Sequence, residues 1–274
     1  MFGLTKSRLV YARVRIPQGV TLTNNEALFH AYKRLDKPHK PCYSIHMITV
    51  KNPIKLDGSK RLLFVSDLHL NHDKEFLWGK RGYSSSAEHK RDILAKLGAE
   101  ANDETILINL GDAAFRDPEH ETFDLLAALP FYQHFHVWGN HPSGAKQAYR
   151  ASVSQTFAGN IAKPLLDELE IYPVMWHNVT FLGYQSFFRY QDQTIFANHF
   201  PQAIWDEMKN DVWHVAGHSH GSFDATNGQS TMDGKIMDVG VEQSQKYNDG
   251  NPFLTFEQVK AFMDARAIIK KDHH

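Results

Sequence analysis

The sequence predicts an α/β fold in which strands and helices alternate, followed by a strand-rich second half. Three short apolar runs, at 62–66, 105–109 and 134–138, lack a helical period and end abruptly in polar residues, as strands buried on both faces do. Amphipathic helical stripes separate them, the alternation of a parallel sheet. The stretch 171–198 then breaks into short strands joined by tight turns, which predicts a meander or a second sheet. At 274 residues with 42% hydrophobic and 22% charged residues, the chain can bury a large core without covalent staples.

Taken in order, Val10, Ala12, Val14 and Ile16 alternate with Arg13 and Arg15, the pattern of a half-exposed strand. Thr23 and Glu26 have capping-box spacing for a helix over 25–34, Pro38 and Pro41 stop it, and 43–50 reads as a second strand. Residues 1–58 therefore form a small β-α-β appendage and residues 59–274 the main domain. In the main domain, Ser85 and Glu88 repeat the capping spacing, and Ile93, Leu94, Leu97 and Ala101 make the stripe of a helix. A helix is expected over 119–129. Strands are expected over 171–176, 179–184, 186–190, 194–198, 213–216 and 232–239, and Thr255 with Gln258 caps a last helix to about residue 269.

The net charge of −1 conceals a division. Residues 1–60 hold 11 Lys/Arg against 3 Asp/Glu, and the remainder holds 19 against 28. A basic appendage on an acidic body suits an anionic partner, or two faces that attract each other. Cys42 is the single cysteine, which excludes an intrachain disulfide and points to a reducing, cytoplasmic setting. The amino terminus lacks a signal-peptide core, and no apolar run reaches the ~20 residues of a membrane span.

Chemistry concentrates where the strands end. Asp67 and His69 lie two residues apart, so on an extended chain both side chains leave on one side and can share an ion. Later strands end in Asp112, in Asn140 and His141, in His199, and in His218 and His220. Mixed carboxylate and imidazole donors without thiolate suit divalent transition metals. The donors exceed what one ion uses while keeping open positions, so two ions and a bridging carboxylate are the economical arrangement.

As an ordered set, SDLH, LGD, GNH, NHF and GHSH resemble the signature of the calcineurin-like metallophosphoesterase family over residues 61–240. The resemblance implies a two-sheet β-sandwich flanked by helices. It implies that Asp67, His69 and His220 hold one metal, that Asn140, His199 and His218 hold the other, and that Asp112 bridges them. His141 would stabilise or protonate the leaving oxygen. The implied activity is hydrolysis of phosphate esters by a hydroxide bridging two metals, with Mn²⁺ the expected ion and Fe, Zn²⁺ or Ni²⁺ equally admitted by the donor types.

Two departures bear on substrate. Pro142 follows the Gly-Asn-His triplet where many members carry an acid. Phe115 stands where the Ser/Thr protein phosphatases of the family carry the Asp that orients the catalytic histidine, although Arg116 matches the arginine that follows; Asp117 is the substitute expected to support His141. These point towards phosphodiesters of nucleotide or nucleic-acid type. A phosphomonoesterase acting on nucleotides, metabolites or phosphoprotein is the alternative, and a non-catalytic scaffold of the same fold is a second. Arg81 and Arg116 are candidate bidentate phosphate clamps, with solvated loop charges the alternative; His72 is a candidate substrate contact, and Trp78, Tyr83 and Phe115 either stack a base or pack as loop aromatics commonly do. His134 and His136, on a strand, are expected to be structural. The sequence carries no sign of the oligomeric state.

Overall fold

Along each central strand the side chains alternate between two different apolar environments, and this alternation produces the layers. The computed structural model describes residues 49–156, 173–223 and 232–270. Most of the expected appendage, and the tail from 271, lie outside the described residues.

In chain order the elements of the first half are β1 (Ile54–Lys55), β2 (Arg61–Val65), α1 (Glu75–Trp78), α2 (Ser86–Glu100), β3 (Thr105–Asn109), α3 (Glu121–Ala127), β4 (Gln133–His136) and α4 (Ser143–Thr156). There follow β5 (Val174–Trp176), β6 (Val179–Phe181), β7 (Gln185–Tyr190), β8 (Gln193–Asn198), β9 (Trp213–Ala216), β10 (Ile236–Asp238), α5 (Val241–Tyr247), β11 (Leu254–Thr255) and α6 (Phe256–Asp264). They make a six-stranded sheet of order β11-β2-β3-β4-β6-β5 and a five-stranded sheet of order β1-β7-β8-β9-β10. Strands β2, β3, β4 and β6 run parallel, as do β8, β9 and β10.

Leu62 and Phe64 of β2, with Ile106 and Ile108 of β3 and Phe135 of β4, meet Phe188, Ile195, Trp213 and Val215 of the other sheet in the inter-sheet core. The alternate residues Leu63, Val65 and Leu107 meet Ile93 and Leu97 of α2, Phe123 and Leu126 of α3, and Tyr149 and Val153 of α4. Each such fully buried side chain stabilises the fold by roughly 1.5–3 kcal/mol. The result is a two-sheet sandwich with helices outside.

Helix α2 starts where the sequence places it, the Ser85 hydroxyl accepting the Glu88 N–H at 3.1 Å, and α6 has the complete Thr255–Gln258 box. Of the two readings of 171–198, the second sheet holds for β7 and β8, whereas β5 and β6 extend the first sheet. Three expectations are corrected. Helices α4 and α5 fall where no helix was expected, and α6 ends at Asp264 rather than near 269. Ile54–Lys55, assigned to the appendage, pairs in parallel with β7 at the edge of the second sheet. No helix among the described residues is long and apolar enough to cross a membrane.

Candidate metal centre and active site

The loops that follow β2 and β3 are joined main chain to main chain. The Asp67 N–H donates to the Gly111 carbonyl at 3.1 Å, His69 to Asp112 at 2.8 Å and Leu70 to Ala113 at 3.0 Å. This brings Asp112 beside the Asp67–His69 turn. On the second sheet the Gly217 N–H donates to the His199 carbonyl at 2.9 Å, linking the ends of β8 and β9. The His199 ring, through Nδ1, donates to the Leu110 carbonyl at 2.8 Å and so couples the two sheets at the site.

The turn is not extended, as the sequence reading assumed. Asp67, His69, Asp112, His218 and His220 have φ of 57°, 46°, 51°, 66° and 51°, in the left-handed region that costs a non-glycine residue about 1 kcal/mol or more. Asp67 and His69 therefore converge through a coiled backbone, not through strand periodicity. Two glycines are sterically required. A Cβ on Gly139 would fall 1.9 Å from Asp112 Oδ1, and one on Gly217 would fall 1.9 Å from Ser66 Oγ and 2.5 Å from Asp67 Oδ2.

Six of the eight strand-end residues, His69, Asp112, Asn140, His141, His218 and His220, line one cleft of about 190 Å³, and Asp67 and His199 stand behind it. Asp67 Oδ1 is buried and has no hydrogen-bond partner, yet His69 Nε2, His199 Nε2 and His220 Nε2 stand 3.8, 4.0 and 4.0 Å from it. Asp112 Oδ2 lies 3.7 Å from His69 Nε2 and 3.5 Å from His199 Nε2. Its Oδ1 accepts the His141 backbone N–H at 2.7 Å. Asn140 Oδ1 sits 2.8 Å from both His199 Nε2 and His218 Nδ1. The His218 main-chain N–H donates to Asp67 Oδ2 at 2.8 Å.

This donor set fits cations. With its Nδ1 proton committed to the Leu110 carbonyl, neutral His199 turns its Nε2 lone pair towards Asn140 Oδ1, another acceptor. Burial pushes the Asp67 carboxyl up to about 7 and pulls the His69 imidazole down to about 2, so the pocket disfavours both a bare carboxylate and an imidazolium. Facing lone pairs and an orphaned buried oxygen are the condition a metal ion relieves. Two groups have donor atoms within 4.8 Å of one another: Asp67, His69 and His220, and Asp67, Asp112 and His199.

Three expectations for the surroundings are corrected. Arg81 does not face the cleft: its side chain is fully buried, donating from Nη2 to the Asp67 carbonyl at 2.8 Å, from Nη1 to the Leu68 carbonyl at 3.0 Å and from Nε to Glu242 Oε1 at 3.0 Å. Arg116 is largely exposed, pairs with Asp73 at 3.2 Å and is absent from the cleft lining. Asp117 does not support His141, because its carboxylate accepts the Thr122 and Phe123 N–H groups at 3.1 and 2.8 Å and caps α3. The His141 ring instead packs against Phe115 and His69, with centroids at 5.3 and 5.6 Å.

Of the aromatic residues, Phe115 packs on His72 at 4.3 Å, and the Tyr83 hydroxyl donates to Asp92 at 2.7 Å. Trp78, like Tyr83, lies outside the cleft lining, whereas His72 lines it together with Phe76, a residue 72% exposed that the motif reading passed over. His134 and His136 are buried away from the cleft among Phe131, Phe123, Trp138 and Phe181.

Two further carboxylates escaped the sequence reading. Asp238, fully buried, accepts from the Gly240 N–H at 2.7 Å, from the Gly221 N–H at 2.6 Å and from the Ser219 hydroxyl, which fixes the loop bearing His218 and His220. Glu242 Oε1 accepts from His220 Nδ1 at 2.9 Å. Burial disfavours the Glu242 carboxylate, but the His220 and Arg81 contacts override it and hold the group well below the usual carboxylate range. His220 is raised in turn: burial opposes its charge, and Glu242 outweighs burial.

A family model described as calcineurin-like phosphoesterase matches residues 60–261. No protein of curated function matches the chain. Among solved structures, the chain is similar to a protein of unknown function from Aquifex aeolicus, with 16% identity and a TM-score of 0.46 over 74% of this chain and 99% of that one. It is also similar to a structure described as a candidate diadenosine tetraphosphatase, with 13% identity and a TM-score of 0.34 over 74% and 96%. Both likenesses are too loose to carry an argument, and the family match stands on the sequence.

Proposed function

The chain belongs to the calcineurin-like phosphoesterase family, and we propose from that premise that it is a binuclear metallohydrolase acting on phosphodiesters of nucleotide or nucleic-acid type. The observation that carries the reading is the convergence of Asp67, His69, Asp112, Asn140, His199, His218 and His220 from both sheets around the unpartnered Asp67 Oδ1. One ion is assigned to Asp67, His69 and His220, the other to Asn140, His199 and His218, with Asp112 between them. When bound there, the ions, Mn²⁺ in the first instance, would supply a nucleophile near neutral pH and offset charge on the phosphoryl oxygens.

The remaining work falls to the chain. His141 stands at the cleft, its main chain tied to Asp112 and its ring packed against His69 and Phe115; it is assigned to deliver a proton to the departing oxygen. Among the described residues that line the cleft there is no lysine or arginine, and recognition of the phosphoryl charge is assigned to the imidazoles and to the ions they would hold. Support for a diester comes from Phe115, which stands where a protein phosphatase would carry an orienting acid, and from the basic character of residues 1–60. The single cysteine supports a cytoplasmic setting.

The test is the rate of nitrophenol release from bis-p-nitrophenyl phosphate and p-nitrophenyl phosphate, side by side, on metal-stripped protein reloaded with Mn²⁺. Preference for the diester is expected. Preference for the monoester would transfer the reading to phosphomonoesters, and inactivity on both with two ions bound would favour a scaffold.

A further inference from the structure

The two metal positions differ in what stands behind them. Glu242 sits in the first turn of α5, 161 residues from Arg81, and one of its oxygens joins two groups beside the donor cluster. Oε1 accepts from His220 Nδ1 at 2.9 Å and from Arg81 Nε at 3.0 Å. The other face of the guanidinium grips the Asp67 and Leu68 carbonyls at 2.8 and 3.0 Å, the main chain whose left-handed turn presents Asp67 and His69. The His69 and His220 rings stack with centroids 5.2 Å apart and planes 13° from parallel. Among the described residues, the Asn140, His199 and His218 side chains have no comparable carboxylate behind them; His199 is oriented by the Leu110 carbonyl.

We propose that the Arg81–Glu242 pair is a positioning brace for the metal held by Asp67, His69 and His220, and for that metal only. The inference rests on the two-metal reading above. Glu242 fixes the tautomer of His220: with Nδ1–H donated to the carboxylate, the Nε2 lone pair faces Asp67 Oδ1. Arg81 ties Glu242 to the Asp67 and Leu68 carbonyls and so holds the left-handed Asp67–His69 turn in place. A carboxylate behind a metal-bound imidazole also raises the basicity of the donor, and losing such a partner typically weakens metal binding by about 10- to 100-fold.

The experiment is calorimetric titration of the metal-stripped full chain with Mn²⁺, paired with electron paramagnetic resonance at one and at two equivalents. Wild-type protein is expected to take up two ions, with the signal of a coupled pair at two equivalents. In Glu242→Ala one binding phase is expected to weaken by about 10- to 100-fold while the other is retained, so that the resonance stays that of an isolated ion until metal is in excess. Should Glu242→Ala not fold, Glu242→Gln, which keeps a neutral acceptor for the His220 N–H, is expected to show a smaller loss confined to the same phase. Arg81→Met is expected to weaken that phase too, with little added when combined with Glu242→Ala.

Equal weakening of both phases would make the pair a general structural support and overturn the inference, as would two unchanged phases. A wild-type chain that binds no Mn²⁺, Zn²⁺, Fe²⁺ or Ni²⁺ would overturn the two-metal reading itself, an outcome distinct from either.

Discussion

Three buried histidines outside the cleft lining should make the chain acid-labile. His134 is fully buried on β4 with no hydrogen-bond partner for either ring nitrogen, and burial pulls it down to about 3 from 6.5. His136 is lowered well below the same value by burial and, secondarily, by His134 and His199. Burial lowers His214 to about 4 against the opposing effect of the Phe196 carbonyl, which its Nδ1 faces at 3.2 Å, while its Nε2 accepts the Gln202 N–H at 3.1 Å. The folded chain keeps all three neutral, whereas the unfolded chain protonates them below pH ~6.5. The unfolded state then binds more protons, so stability falls as the pH falls.

Each residue removes about 1.4 kcal/mol per pH unit, or about 2 kcal/mol between pH 6.5 and pH 5. Three together remove roughly 6 kcal/mol, comparable with the whole stability of an ordinary domain. The measurement is urea unfolding of metal-stripped protein from pH 7.5 to pH 5, with His134→Leu beside wild type. Because that ring has no partner to orphan, the variant should be no less stable at pH 7.5, and its stability should fall less steeply with acid by about 1.4 kcal/mol per unit. Parallel slopes would refute the claim that His134 is locked neutral.

Replacing Asp112 with Asn should lower the affinity for both ions, measured by metal content after gel filtration; one retained ion with full turnover would show that Asp112 does not join them. His141→Ala should slow esters with poor leaving groups by about 100-fold and nitrophenyl esters much less, and equal losses would remove its role as proton donor. Gly139→Ala places a methyl 1.9 Å from Asp112 Oδ1, so the variant should fold but retain less than one ion per chain; two tightly held ions would show that the loop yields.

The strand ends were readable because an apolar run followed by a polar break is a local pattern, and each donor lies within a few residues of such a break. The backbone carrying those donors was not readable, since extended geometry was assumed where Asp67 and His69 are left-handed. Helix α4 escaped notice because it packs partly through Ala145 and Ala148 beside Tyr149 and Val153, and alanines leave a faint apolar stripe. The role of Arg81 lay beyond sequence reasoning for a different cause: its partner is Glu242, brought to it only when the sandwich closes. Its burial inverted the expectation of a solvent-facing phosphate clamp.

The His199–Leu110 link places the donors astride the seam of the sandwich, Asp67, His69, Asp112 and Asn140 on one layer and His199, His218 and His220 on the other. Ions seated there would act as rivets between layers that core packing and a few hydrogen bonds already hold together. Mass action then ties the lifetime of the folded chain to its mineral supply: free metal at one hundred times the dissociation constant adds about 2.7 kcal/mol per site. A cell starved of that metal would lose the protein to its proteases as well as the activity, and the same seam would serve as both catalyst and gauge.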